Sequence, residues 1–330
     1  MATTSPPKGS YGFIGLGNMG FGMAKNVRQK MPASSKLLVC ELVQSQRDEF
    51  CSAVEGDVEV ARTPREIAEK CDIIITSLPN AAAVKKVFLD PSTGLLSGCP
   101  KDKAILFLET STIEASASLE VLDAVKSSAL AASFLDAPVS GGIPPAHAGT
   151  LTFMVGGPED VFEKARPIMA TMGKPENLIH CGGPGAGLAT KQINNYIAYC
   201  SYVALCEGMN TGLKFGLDPK VLNGKTDVIN ASSGQCWNSL HMNPVKGVLP
   251  NSSASRDFKG GFKTELAQGV TRQMTKLMEE VGAKSVFGPV MDDVWARAVE
   301  SDLCKDQESR SIWRLFTEED GKLLGKTKIE

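Results

Sequence analysis

Histidine is the scarcest chemistry-bearing residue in this 330-residue chain: only His147, His180 and His241 are present, and no two of them stand four positions apart. The nine cysteines, at 40, 51, 71, 99, 181, 200, 206, 236 and 304, contain no Cys-x-x-Cys pair. Together these absences argue against a zinc site. An odd number of scattered thiols argues against a disulfide framework and for a reducing, cytosol-like compartment. Charge of one sign is lacking too: 35 Lys and Arg against 37 Asp and Glu leave a net charge of −2, with no long run of like charge. That excludes the electrostatic footprint of a nucleic-acid or anionic-membrane binder. No run of 18 apolar residues occurs, so no membrane span is expected. The opening MATTSPPKGS has neither the apolar core of a secretory signal nor the repeated arginines of a transit peptide. The expectation is a cytoplasmic protein whose partners are small molecules or copies of itself, and the sequons at Asn230 and Asn251 then carry no meaning.

What is present is alternation. Short apolar runs recur at 11–16, 37–40, 72–78, 104–109, 134–139 and 151–155, separated by segments long enough for helices. This predicts βαβ units on a largely parallel sheet. From about 185 the pattern changes. Ile193, Ile197, Val203, Leu205 and Met209, with no internal proline, predict one long helix. Leu217-Asp218-Pro219 then sets an aspartate N-cap and a proline at the first helical position. Residues 285–317 read as helical around Val294, Trp295, Ile312 and Trp313, and 232–262 reads as a long loop of the functional kind. In that loop, Cys236 and Trp237 are open to two readings, a substrate contact or a buried anchor. The predicted architecture is α/β followed by all-α: a sheet domain over 10–182 and a helical domain over 183–325, with a linking helix from about 185.

The strongest local motif is Gly15-Leu16-Gly17-Asn18-Met19-Gly20, between an apolar run and a helix-like stretch. In a dinucleotide cradle, Gly15 permits the turn, Gly17 lets the backbone approach a phosphate, and Gly20 allows close helix–strand packing. Glu41, directly after Leu37-Leu38-Val39-Cys40, stands where a carboxylate would bond the adenosine ribose and repel a 2′-phosphate. The cofactor predicted is NAD, with NADP still open.

Three more stretches, DAPVSGG (136–142), GAGLATKQINN (185–195) and ASSGQCW (231–237), join GLGNMG in a pattern that resembles the β-hydroxyacid dehydrogenases from about residue 10 to about 320. The resemblance implies a Rossmann domain, a helical domain used for pairing into a homodimer or homotetramer, and an active site in the cleft between them. It implies cofactor contacts at Leu78, Pro79 and Thr112, substrate-carboxylate contacts at Ser140, Gly141 and Gly142, and catalysis by Lys191 with Asn195 one helical turn beyond. The residue types suit those roles. A serine hydroxyl and two unobstructed glycine amides can hold a carboxylate, and Lys191 and Asn195 at i, i+4 share a helix face. To accept a hydroxyl proton, Lys191 must be neutral, so its pKa has to fall from about 10.4.

The chain departs from the family pattern at two places. Where relatives carry a Lys-Asp pair after Gly-Gly-Phe, Gly269 and Val270 stand here, with Arg272, Lys263 and Lys276 as nearby cations. An asparagine usual after Leu78-Pro79 is replaced by Ala83. The function implied is an NAD-dependent oxidoreductase of a small β-hydroxy acid, with 3-hydroxyisobutyrate the leading candidate. The alternatives are a reductase of another aldehyde acid or an imine, and a cofactor-binding homologue with impaired turnover.

Overall fold

The apolar runs become strands because most of them have no polar face to turn to water, and such strands are buried when helices cover both sides of a parallel sheet. The computed structural model describes residues 5–128, 130–224 and 227–317. Among them are nine strands: β1 (Ser10–Ile14), β2 (Lys36–Cys40), β3 (Val58–Val60), β4 (Ile73–Thr76), β5 (Ile105–Glu109), β6 (Ala132–Asp136), β7 (Val139–Ser140), β8 (Leu151–Gly156) and β9 (Gly173–Gly182). The sheet order is β3-β2-β1-β4-β5-β6-β8-β7, with β9 on β8. The first six strands in that order are parallel, which is the doubly wound dinucleotide topology.

Side-chain alternation sends the two faces into separate cores. Tyr11, Phe13, Leu37, Val39, Ile73 and Ile75 pack on one side; Ile14, Leu38, Cys40 and Ile74 pack on the other. Two strands escaped the sequence reading because they lie at edges and carry polar residues: β3 is VEV, and β9 is GKPENLIHCG. The run at 134–139 is divided, β6 ending at Asp136 and β7 starting after Pro138, which cannot donate to a ladder. Past that point β8 runs antiparallel to both β6 and β7.

The chain divides into two compact units whose border falls between Lys191 and Gln192, inside the long helix Ala186–Phe215. The sequence reading placed the border at 182/183. The first turn of the helix belongs with the sheet because the Asp136 carboxylate accepts hydrogen bonds from the amides of Gly185 and Leu188.

The second unit is helical around Tyr202, Cys206, Met209, Trp295, Ile312 and Trp313. The Asp218 cap and Pro219 start the helix Pro219–Asn223 as expected. Two expectations are corrected here. The segment 232–262 is not all loop: it holds the helix Trp237–His241, started by a reciprocal cap between Cys236 and Ser239, and a 3-10 turn at Ser253–Arg256. Nor is 285–317 continuous: the helix Gly288–Glu300 ends, Asp306 adopts φ of 58°, and a 3-10 turn and the helix Trp313–Thr317 follow. On the long helix, Ile193 and Ile197 are exposed, and the core is met by Tyr202, Val203, Cys206 and Met209. Residues 318–325 of the expected helical domain lie outside the described residues.

Among the described residues no helix is long and apolar enough to cross a membrane. Nor does any group of three or more His, Cys, Asp or Glu there suit a metal ion, and none of the cysteines is in a disulfide.

Candidate active site

The glycine loop follows β1 and leads into the helix Gly20–Lys30. Gly15 has φ of 94°, and a Cβ there would sit 2.2 Å from the Ser77 carbonyl; one on Gly20 would sit 2.0 Å from the Gly15 carbonyl. Gly17, in contrast, faces open space, with no atom within 4 Å of where its Cβ would be. Two glycines therefore close the turn and the third leaves the backbone approachable. Leu16 is buried, Met19 half-buried and Asn18 exposed. Glu41, beyond the end of β2, is more than a strand-end carboxylate. Its Oε2 accepts from Leu16 N at 2.7 Å and its Oε1 from Val43 N at 3.0 Å, so it braces the loop. The Arg47 guanidinium donates to the Glu41 carbonyl.

The ends of β4 and β5 form a second group. Leu78 N donates to Ser111 Oγ at 2.8 Å, and Ser111 N donates to Glu109 Oε1 at 2.9 Å. Leu78 and Thr112 are half-buried and Pro79 is exposed. Asn80 caps the helix Ala81–Leu89 by accepting from Ala83 N. Sequence reasoning passed over Ser111 and Glu109. The only signal for Glu109 was a carboxylate closing an apolar strand.

A third group follows β7. Ser140 is half-buried, and Gly141 and Gly142, exposed, have φ of 141° and 82°, conformations that favour glycine. The helix Ile143–Ala148 comes next and is tied to the helix of the glycine loop. Buried Asn26 donates from Nδ2 to the carbonyls of Gly22, Ala146 and His147 at 2.9, 3.0 and 3.0 Å. A Cβ on Gly22 would meet the Ala146 backbone at 2.7 Å, so these helices touch at a glycine. Asn26 was also missed, for an asparagine inside a helix gives no sequence sign of its tertiary partners.

Lys191 is on the first turns of the long helix, its side chain buried with the residue only 7% exposed. Burial pulls its amine down to about 8. Asn195 follows one turn later and is half-buried. Gly269 lies exposed in the helix Thr264–Glu280, with open space where its Cβ would be, and Val270 beside it is buried. Lys263 and Lys276 are engaged with Asp306 and Glu280, and Arg272 is exposed. Trp237 is 51% exposed, which removes the buried-anchor reading for it; the fully buried tryptophan is Trp295.

These residues fit a dinucleotide. An open glycine at a helix start, a braced loop and a carboxylate at the end of β2 meet the needs of a pyrophosphate and a ribose.

Comparison with known proteins agrees. Residues 10–183 match the model described as the NAD binding domain of 6-phosphogluconate dehydrogenase. Residues 185–316 match that described as NAD-binding of NADP-dependent 3-hydroxyisobutyrate dehydrogenase. A probable mitochondrial 3-hydroxyisobutyrate dehydrogenase of Arabidopsis thaliana is 38% identical over 297 residues, covering 88% of this chain and 82% of the relative. The mitochondrial 3-hydroxyisobutyrate dehydrogenase of Mus musculus is 41% identical over 266 residues, covering 81% and 73%. The solved structure of Mycobacterium tuberculosis 3-hydroxyisobutyrate dehydrogenase with L-serine superposes with a TM-score of 0.82 at 31% identity, covering 94% of this chain and all of that one.

Proposed function

Because this chain belongs to the 3-hydroxyisobutyrate dehydrogenase family, we propose that it transfers hydride between NAD and a small β-hydroxy acid, 3-hydroxyisobutyrate first among them. The observation that carries the reading is Lys191, an amine whose burial pulls it down to about 8. When bound, the nicotinamide takes up hydride in oxidation and gives it in reduction. Lys191 Nζ, as the neutral amine, accepts the hydroxyl proton as hydride leaves the same carbon. In the reverse direction the ammonium donates that proton to the carbonyl oxygen. Ser140 offers its hydroxyl, and Gly141 and Gly142 their amides, to the substrate carboxylate. Asn195 holds the reacting oxygen beside Lys191. Gly15, Leu16, Gly17, Asn18, Met19 and Gly20 take the pyrophosphate, Glu41 the adenosine ribose, and Leu78, Pro79 and Thr112 the nicotinamide side.

The test is NADH formation by the purified chain with a panel of small β-hydroxy acids. Turnover with 3-hydroxyisobutyrate is expected, and Lys191→Ala removes it while NAD still binds. Silence across the panel with both NAD and NADP overturns the reading. Lys191 weighs against the imine branch, which has no use for a base that takes a hydroxyl proton. The Gly269-Val270 pair favours a site that works without a second lysine. NAD is favoured over NADP because Glu41 presents a carboxylate to the 2′ position, and competing titrations of the two cofactors test it.

The reading includes a homodimer or homotetramer, supported by the exposed apolar side chains Ile193, Ile197, Phe215 and Val221 in the helical unit; light scattering on the purified chain tests it. It also includes a reducing compartment, supported by nine cysteines without a disulfide. The relatives named above from plant and mouse are mitochondrial proteins, and fractionation separates cytoplasmic from mitochondrial residence.

A further inference from the structure

Two carboxylic acids lie side by side in the first unit, and the chemistry above uses neither. Glu109 ends β5 and Asp136 ends β6, they are register partners across the parallel ladder, and both are buried. Their surroundings differ. Asp136 accepts from Gly185 N at 2.8 Å and Leu188 N at 3.0 Å, at the start of the helix that carries Lys191. That turn has no other place to go: a Cβ on Gly187 would lie 2.5 Å from the Met154 carbonyl and 2.8 Å from Gly156 N on β8. Glu109 serves the other direction. Its Oε1 accepts from Ser111 N at 2.9 Å and Thr76 Oγ1 at 3.4 Å, Ser111 Oγ accepts from Leu78 N at 2.8 Å, and Oε2 is buried with no partner.

We propose that these two acids are the positioning residues of the reaction. Asp136, as the carboxylate, fixes the turn that aims Lys191; Glu109, as the neutral acid, ties the Leu78-Pro79 and Thr110–Thr112 segments into one floor for the cofactor. The assignment of the single proton follows from the donors. Of two adjacent buried acids, the one held by more amide N–H groups gives up its proton first, so below about pH 7 the charge sits on Asp136 and the proton on Glu109. The acids behave accordingly. Burial pushes Glu109 up to about 7, the charge of Asp136 adding to the effect. Burial raises Asp136 as well, but the amides of Gly185, Leu188 and Gly187 oppose it. The proposal rests on the dehydrogenase reading for what is positioned.

The experiment uses the full chain with Glu109→Gln, Glu109→Ala and Asp136→Asn. NAD affinity is measured by binding, kcat and KM by turnover, and amide exchange in the absence of NAD. Glu109→Gln, which keeps a neutral side chain of the same shape, binds NAD within about twofold of the parent, whereas Glu109→Ala weakens it about tenfold. Asp136→Asn leaves NAD affinity and lowers kcat about tenfold or more, as misplacement of a reacting group does. Exchange quickens at Leu78 and Ser111 only in Glu109→Ala, and at Gly185 and Leu188 only in Asp136→Asn. The proposal is overturned if Glu109→Gln is as impaired as Glu109→Ala, if Asp136→Asn loses NAD affinity in step with kcat, or if either variant loosens both regions. Should Asp136→Asn fail to fold, exchange in the parent decides its part: Gly185 and Leu188 are protected, and exchange there at the rate of exposed amides refutes it. If the parent oxidises no hydroxy acid, the dehydrogenase reading fails alone, and NAD affinity and exchange still judge the two acids.

Discussion

A lysine in water keeps its proton to about pH 10.5, and Lys191, buried, gives it up near pH 8. Oxidation needs the neutral amine, so its rate rises with pH towards about 8 and levels above. Reduction needs the ammonium, so its rate is level below about 8 and falls above; pH profiles in both directions check the pair. Lys191→Met is expected to lower kcat by about 10²–10⁴-fold with NAD affinity unchanged. The same variant reports on stability. The folded pKa lies below the unfolded one, so the cost of the buried charge is fully present below pH 8 and vanishes as pH rises towards 10.5. Denaturant titration at pH 7 should find Lys191→Met more stable by up to roughly 3 kcal/mol, with the advantage gone at high pH. Glu41, proposed for the ribose, works at the same scale, for its carboxylate also holds Leu16 N. Glu41→Ala should weaken NAD about tenfold and narrow its preference over NADP, measured by competing cofactor titrations.

Elements here are joined at points where side chains are small or polar. The helix Gly20–Lys30 meets Ile143–Ala148 at Gly22 and Asn26, so the glycine loop and the Ser140-Gly141-Gly142 turn precede two helices that are pinned to each other. Asn26→Ala leaves two carbonyls of the second helix without their donor and should cost about 1–3 kcal/mol in denaturant titration. The helix Thr264–Glu280 offers the opposite case. Gly269 is exposed, has room for a Cβ, and has no need of a positive φ, so its flexibility is only an entropic burden. Gly269→Ala should stabilise the second unit by about 0.5–1 kcal/mol, seen as a higher denaturant midpoint, and a lysine at that position meets no steric obstacle.

At the scale of the whole molecule, the first unit carries a pH dependence set by Glu109. Its folded pKa, about 7, exceeds the ordinary 4.5, so between those values the folded state holds more protons than the unfolded one. The Glu109 contribution to stability therefore falls by roughly 3 kcal/mol at most as pH rises from about 4.5 to 7 and is constant above. Glu109→Gln removes that slope, which unfolding titrations at pH 5 and pH 8 would reveal. Much of the fold was legible from the chain alone. Buried parallel strands such as Ile73-Ile74-Ile75 must be apolar, the turn at Gly15 needs a residue without a Cβ, and Asp218-Pro219 caps a helix through bonds a few residues long. Of the candidate residues, Gly17 was singled out by the spacing of the glycine loop, whereas Ser140 and Lys191 were singled out by the resemblance of their segments to a family, since a lone serine or lysine carries no local signal of its role. Edge strands such as Gly173–Gly182 were not, because pairing on one side imposes little apolar pattern. What only the tertiary structure decided is how distant segments meet: Asp136 with Gly185 and Leu188, Ser111 with Leu78, and Asn26 with His147. Each of those bonds joins a short polar side chain to a backbone group, and a backbone group has the same identity at every position.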